Sequence, residues 1–428
     1  MSTGHLAQIN CPSGWSFLRL DAVCVRTQQI GEPGLQPLSV FLDVGVVPRS
    51  ERDDNHNVLG EDLSRYLVVA PGDIVFNKLR TWQGGLGASE HKGIVSPAYF
   101  VLRPRPTAEP HYLHHLLRSQ YYLDELTRRS KWMPPSQFDI AWEQLRSLPI
   151  LLPPVQHQRA IADFLDRETA RIDALVAVKN RLLDLLAEKR VAIIATAVTR
   201  GLEPNAKLRD SGVPWLRKIP AHWTLVPLRY LLNFGPKNGI SPQQSGSDGV
   251  LSFSISAVRD GRVTIEGNEK FVELDRSMAR SYYLRAGDIL LVRGNGNLSL
   301  VGTCGLLETA PDECTYPDIL MLMRVGERII SELLVAAINA PYVRQQIESL
   351  AQTTNGTYKL SGEDVRTLQI ALPPRQEQGV IAAHIAREIA KLDSVRTATE
   401  RTIALLKERR VALVAAAVTG QLDQRAAA

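Results

Sequence analysis

The sequence predicts an α+β protein in which two globular α/β domains are joined by two long helices that pair with each other about a pseudo-two-fold axis. Three observations predict it. A stretch of 51 residues at 152–202 recurs without a gap at 372–422, a separation of 220, with about two positions in five identical. Each copy opens on Leu-Pro-Pro and continues without another proline, closing on AVTRGL in the first and AVTGQL in the second. The segment ahead of each copy repeats, more loosely, one order of local signals. The chain of 428 residues therefore divides into 1–150, a globule; 151–203, the first copy; 204–370, a second globule; and 371–428, the second copy. A length of this kind holds two to four domains.

The copies come first because they set the plan. Proline's fixed φ and missing N–H suit the first turn of a helix and not its interior. Each copy thus predicts one helix of about 35 to 40 residues, about 50 to 60 Å long, far longer than an ordinary globular helix. Ile161, Leu165, Ile172, Leu175, Leu182, Leu186 and Ile193 step by three, four or seven, and Ile381, Ile385, Leu392, Val395, Leu406 and Leu413 fall at equivalent places. That spacing is a heptad-like seam. Its polar interruptions, Glu168 and Lys179 in one copy and Glu388, Thr399 and Thr402 in the other, are of the kind that fix register and partner at a cost in stability. Two amphipathic helices each lying on its own domain would show similar periodicity; the repetition favours pairing within the chain.

In the first globule, GWSFLRLDAV (14–23) opens with a Trp15 expected to be buried. Two β-rich runs at 66–70 and 74–76 flank Pro71-Gly72-Asp73, a strong turn signal. A polar loop and then Gly84-Gly85 follow, IVSPAYFVLRP (94–104) reads as a strand, and 110–130 as helical, before a loop WMPPSQFD. The second globule keeps the order. IPAHWTLVPLRYLL (219–232) answers the Trp15 region, Ala286-Gly287-Asp288 answers the first turn, and a helix over about 329–350 leads into a polar loop at 353–359.

Composition excludes more than it selects. Apolar content of 44% and charged content of 22% are ordinary for a globular chain. Cys11, Cys24, Cys304 and Cys314 have no CxxC spacing and no neighbouring histidine cluster, which argues against zinc or disulfides and fits a reducing cytoplasm. The N-terminus shows no signal pattern, and the apolar run at 191–198 is too short to span a bilayer. A formal charge of +5 is weak support for a nucleic-acid partner.

Catalytic signatures are missing. A DNA amino-methyltransferase would carry Asn/Asp-Pro-Pro-aromatic, whereas both copies read Leu-Pro-Pro, without a side chain to orient an amino group. Gly294-Asn295-Gly296 lacks the third glycine of a nucleotide loop and reads as a hairpin turn, and neither GxxxxGK[ST] nor GxSxG occurs. The polar loops carry another signal: Lys78, Arg80, Gln83, Lys131 and Gln137 in the first globule, and Lys237, Asn238, Arg293, Asn295, Asn297, Thr357, Tyr358 and Lys359 in the second. These residue types pair with base edges in the major groove or hold phosphate. Trp82 and Trp132 read as packing residues.

LPPVQHQ and LPPRQEQ opening the two helices, IPAHWTLVPL ahead of the second globule, and GDIVFNKLRTWQGGLG with GIVSPAYFVLRP in the first together resemble the specificity subunit of type I restriction-modification enzymes, over essentially the whole chain. The resemblance implies two target-recognition domains, each binding one half of a split double-stranded DNA site. It implies that the long helices run antiparallel as a coiled coil and dock two methyltransferase subunits, with a motor-nuclease subunit joining for cleavage. It implies no catalytic residue, metal or cofactor in this chain, S-adenosylmethionine and ATP with Mg belonging to the partners, and a prokaryotic cytoplasmic location without membrane attachment. A helix of about 50 Å matches about 15 base pairs, so lengthening the chain around Thr199-Arg200-Gly201 is expected to change the spacer and not the half-sites. Divergent globules imply an asymmetric site. A self-contained methyltransferase and an interaction scaffold with degenerate recognition domains are the rival readings.

Overall fold

The computed structural model describes residues 6, 10–31, 34–53, 63–133, 137–245, 249–354 and 356–422. They form two compact units: Met1–Asn180 with Glu400–Ala428, and Arg181–Thr399. Each contains one globule, the beginning of the helix that follows it, and the end of the other long helix.

In the first unit the globule is entered and left through one antiparallel pair, Ser16–Arg19 against Pro149–Leu152. Its main sheet is antiparallel, in the order Cys24–Thr27, Tyr99–Pro104, Ile74–Asn77, Leu86–Ala88. Alternation puts Ile74, Phe76, Phe100 and Leu102 on one face, against Tyr112, Leu113 and Leu116 of the helix Pro110–Leu117 and Tyr122 and Leu126 of Gln120–Arg129. Val75 and Val101 face the other way, onto Leu38, Val40 and Val46 of the hairpin Leu38–Phe41/Gly45–Pro48. With both faces covered, these strands are apolar at nearly every position.

The second unit repeats this plan. Its closing pair is Thr224–Pro227 against Gln369–Leu372, and its first four sheet strands run Leu232–Asn238, Leu320–Val325, Ile289–Val292, Cys304–Leu306. Arg262–Val263 and Val258–Arg259 extend that sheet beyond Cys304–Leu306. The helical stretch is two helices, Ser331–Ile338 and Pro341–Leu350, and not the single one expected over 329–350, because Pro341 starts a new helix at its favoured first position. The matching turns agree closely. Gly72 and Gly287 both have φ of 88°, a left-handed conformation that favours glycine. Asp73 and Asp288 are buried and receive bidentate hydrogen bonds from Arg103 (2.9 and 3.0 Å) and Arg324 (2.6 and 3.0 Å). Each aspartate also accepts the backbone N–H three residues earlier, from Ala70 and Arg285.

The long helices are Val155–Arg200 and Arg375–Val418, of 46 and 44 residues, longer than expected because both begin directly after the second proline. Within each unit their portions pack together antiparallel. In the first unit Ala162 and Leu165 share a core with Val414, Ala417 and Val418, and Arg410 donates to Asp173 at 3.0 Å. In the second, Ala197 and Val198 share one with Ile381, Ile385 and Ile389, and Arg190 donates to Asp393 at 2.7 Å. The two ion pairs join equivalent repeat positions, since 190 and 410, like 173 and 393, differ by 220.

Buried positions 158, 162, 165, 169 and 172 alternate steps of four and three, the coiled-coil pattern. Of the seam residues, Leu165, Ile172, Ile381 and Ile385 are buried, and Ile161, Leu182, Leu186, Ile193, Leu392, Leu406 and Leu413 are half-buried. Leu175 and Val395 lie off the stripe, 44% and 46% exposed. After Ile172 and Leu392 the next step in the alternation is four, to Val176 and Arg396, so an apolar residue three positions on lands on the flank. Besides Gln158 and Gln378 near the helix starts, the buried polar positions are Thr169 and Thr399, whose hydroxyls donate to the carbonyls of Leu165 (2.7 Å) and Val395 (2.8 Å); Glu168, Lys179, Glu388 and Thr402 are half-buried.

Candidate nucleic-acid interface

Most of the candidate residues sit on a loop and a hairpin that each globule joins through an equivalent backbone bond. In the first unit the strand Ile74–Asn77 runs into a tight turn. Asn77 Oδ1 accepts the Leu79 N–H at 3.1 Å, Thr81–Gln83 forms a 3-10 turn, and Gly84 closes it with φ of 90°. A Cβ on Gly85 would lie 2.7 Å from the Arg80 carbonyl oxygen, so the chain can fold back here only through glycine. The hairpin Lys131–Met133/Gln137–Asp139 lies alongside, joined by the Ile140 N–H donating to the Lys78 carbonyl at 3.3 Å.

In the second unit the loop after Ile289–Val292 includes Gly294–Asn295, which pairs antiparallel with Thr357–Lys359, itself the partner of Gln352–Thr354. The Leu360 N–H donates to the Arg293 carbonyl at 2.9 Å, the counterpart of the Ile140 bond. Gly294-Asn295 is thus a short strand and not the hairpin turn expected there. Both stretches expected to be loops near 131–139 and 353–359 are hairpins, with strands of three residues that give no readable alternation.

The structure gathers most of the candidates and separates a few. Arg80 and Gln83 are exposed on the first loop, and Lys131 is exposed on the hairpin beside it. Gln137 lies in that hairpin, its side chain outside the described residues. Lys78 is turned inward, its Nζ 4.6 Å from the Phe100 ring centroid. In the second unit Arg293, Asn295, Asn297, Thr357, Tyr358 and Lys359 form one group, with Asn295 opposite Tyr358. Asn297 Oδ1 caps the short turn Leu298–Leu300 through the Ser299 N–H at 3.0 Å. Lys237 and Asn238 stand apart, on the edge strand Leu232–Asn238. Lys237 Nζ donates to the Ser281 carbonyl at 2.7 Å and lies 4.0 Å from the Tyr282 ring centroid.

Trp82 and Trp132 both pack against Phe138, centroids 5.0 and 4.9 Å away. Trp132 is nevertheless 47% exposed, an aromatic face beside Lys131 of the kind that stacks on a base or sugar. The exposed guanidinium, carboxamides and ammonium groups supply hydrogen-bond donors for guanine O6/N7 and phosphate oxygens, and the carboxamides can also pair with adenine.

Sequence reasoning missed the residues that hold this frame. Gln158 and Gln378, last in the LPPxxxQ motifs, are both buried. Gln158 Oε1 accepts the Glu109 N–H (2.8 Å), while its Nε2 donates to the carbonyls of Thr107 (3.0 Å) and Pro153 (2.8 Å). Gln378 makes the same bonds to Ile330 (3.1 Å), Arg328 (2.8 Å) and Pro373 (3.1 Å). Glu109 and Ile330 directly precede the helices Pro110–Leu117 and Ser331–Ile338, so one carboxamide fastens the start of that helix to the start of the long helix. The signal was the glutamine shared by both copies. Asp166, on the first long helix, accepts from His115 (2.7 Å) and His111 (3.2 Å) of the first globule. The hydrogen bond to Asp166 raises the His111 pKa. Burial opposes ionisation of Asp166, but the two histidines outweigh it and hold the carboxyl well below the usual carboxylate range.

Among the described residues no group of His, Cys, Asp and Glu is placed to hold a metal ion, and no helix is long and apolar enough to cross a membrane. No family model matches the chain. Among curated proteins it is 27% identical over 363 residues to the type I restriction enzyme EcoKI specificity subunit of Escherichia coli (strain K12), covering 83% of this chain and 75% of that one. It is 24% identical over 361 residues to the StySPI specificity subunit of Salmonella potsdam, with the same coverage. Among solved structures it resembles a chain from work on complex assembly and conformational transition of the type I R-M system. That match has a TM-score of 0.72 and 20% identity, over 96% of this chain and 100% of that one. The HsdS subunit from Thermoanaerobacter tengcongensis matches with a TM-score of 0.52 and 19% identity, over 97% and 99%.

Proposed function

We propose that this chain, which belongs to the specificity subunits of type I restriction enzymes, reads an asymmetric split sequence in double-stranded DNA, each globule taking one half through its hairpin and loop. The observation that carries this is the repeated frame with unlike contents. Both globules join hairpin to loop through an equivalent backbone bond, Ile140 to Lys78 and Leu360 to Arg293, to which the second adds the strand pair of Gly294–Asn295 with Thr357–Lys359, yet they present different side chains. Arg80, Gln83, Lys131 and Trp132 stand on one; Arg293, Asn295, Asn297 and Lys359 on the other. A conserved main chain bearing variable donors suits the reading of two different base sequences. Bidentate donors discriminate bases by about 1–3 kcal/mol each, while lysines on phosphate fix position without sequence preference.

The chemistry belongs to others in this reading. The chain selects and spaces the site and docks two methyltransferase subunits and a motor-nuclease subunit; S-adenosylmethionine and ATP with Mg act there, and this chain is not itself catalytic. The test is selection from a randomised duplex library by the chain assembled with its modification subunits. The expected product is a motif of two unlike blocks separated by an unselected spacer. Recovery of a stable complex without any motif would reject DNA reading and favour a scaffold. Methyl transfer by the chain alone would reject the division of labour.

A further inference from the structure

The loops that carry the candidate base-reading side chains are each held from behind by an arginine that spends its donors on main-chain oxygens. Arg118, following the helix Pro110–Leu117, donates from Nη1 to the carbonyls of Gly84 (2.9 Å) and Leu86 (2.8 Å). From Nη2 it donates to those of Leu42 (2.6 Å) and Asp43 (2.8 Å). Arg344, inside the helix Pro341–Leu350, donates from Nη1 to Val301 and from Nη2 to Leu298 (3.2 Å) and Ser299 (3.1 Å). Among the described residues neither arginine forms an ion pair with a carboxylate. Burial lowers the pKa of Arg118 to about 10, which leaves it charged at neutral pH.

Two further facts make these built contacts. Gly84 is left-handed, with φ of 90°. Gly302 has φ of 77°, and a Cβ there would meet Ile347 Cδ1 at 2.6 Å and Arg344 Nη1 at 3.2 Å, so the loop lies directly on the second arginine. Arg118 follows the first helix of its pair, whereas Arg344 lies within the second. Two unrelated residues thus hold the corresponding loops.

From this we infer that Arg118 and Arg344 are positioning residues for sequence reading, each fixing the loop of its own globule and so setting discrimination at one half-site only. The inference rests on the proposed DNA-reading function and deepens it. An arginine that grips three or four carbonyls fixes the path of a loop while leaving its outward side chains free to differ. Lysine at the same place keeps the charge but loses the planar fork.

The test uses the full chain assembled with its modification subunits. Binding is measured on the cognate duplex and on duplexes with one mismatch in either half. A mismatch ordinarily weakens binding by about tenfold or more. Arg344→Lys is expected to bring the penalty near onefold in the half read by the second globule and leave the other half unchanged; Arg118→Lys is expected to do the reverse. Loss in both halves alike, or in neither, would overturn the inference. If a variant is less stable, amide hydrogen exchange decides. The inference requires faster exchange at 298–302 in Arg344→Lys with the strand Leu320–Val325 still protected, and uniform loss of protection overturns it. A wild-type complex that shows no penalty in either half refutes the DNA-reading proposal instead, and the exchange pattern still reports whether Arg344 holds the loop.

Discussion

Gln158 and Gln378 show what a single buried carboxamide can settle. Each satisfies one N–H and two carbonyls where globule meets long helix. Gln158→Ala leaves the Glu109 N–H and the buried Pro153 carbonyl without this partner, while the Thr107 carbonyl, on an exposed residue, can turn to water; a buried unsatisfied polar group costs about 1–3 kcal/mol. The expected loss is about 2–4 kcal/mol in chemical unfolding, with Gln378→Ala behaving alike; a loss under about 0.5 kcal/mol would show that water replaces the carboxamide. Asp166 supports a pH-dependent contact at the same kind of junction. His111 has a raised pKa, so its share of stability is full below about pH 6.5 and is lost as pH rises through the raised value. Asp166 has a lowered one, so its share is present above about pH 4 and fades as pH falls through the depressed value. Glu90 and Glu109 also favour the charged His111 and remain when Asp166 is replaced. Asp166→Asn should therefore be most damaging between about pH 4 and 6.5 and less so at pH 8. Unfolding midpoints at pH 5, 6.5 and 8 test this, and a deficit independent of pH would contradict it.

At the scale of elements, the long helices were the most legible part of the sequence. Proline pairs marked both starts and the absence of later prolines marked their continuity. The seam was legible only in part. Apolar residues and Thr399 are visible, but Leu175 and Val395 fall off the stripe, because Thr169 reads as an ordinary polar residue and steps of three and four cannot be told apart without it. The ion pairs Arg190–Asp393 and Arg410–Asp173 join equivalent positions in the repeat and favour one antiparallel register. Partly exposed pairs contribute about 0.2–1 kcal/mol, so a double-mutant cycle of Arg190→Ala and Asp393→Ala should give coupling in that range. Coupling of zero would leave register to the apolar stripe alone. The hairpins that carry the candidate site were hidden, because strands of three residues show neither alternation nor length. Arg118 and Arg344 were hidden too, since what they grip is backbone, which has no sequence signature.

For the whole molecule, duplication explains both the sameness and the difference. Closing strands, sheet order, turn aspartates and motif glutamines recur in both units because each solves a packing problem that both globules face. The loop and hairpin side chains do not recur, which the proposed function attributes to two different half-sites. Residue types alone identified Arg80, Gln83, Lys131, Arg293, Asn295, Asn297 and Lys359 as candidates but equally suggested Lys78 and Lys237, which the fold turns onto Phe100 and Tyr282. The most direct test is a map of methylated adenines in cells making this chain with the modification subunits proposed for it, compared with cells making the variant Asn297→Ala, Lys359→Ala. Reading of one half-site by each globule predicts one split, asymmetric motif in the first case and, in the second, the same motif with one half relaxed and the other half and spacer intact. A motif changed equally in both halves, or no motif that depends on this chain, would contradict it.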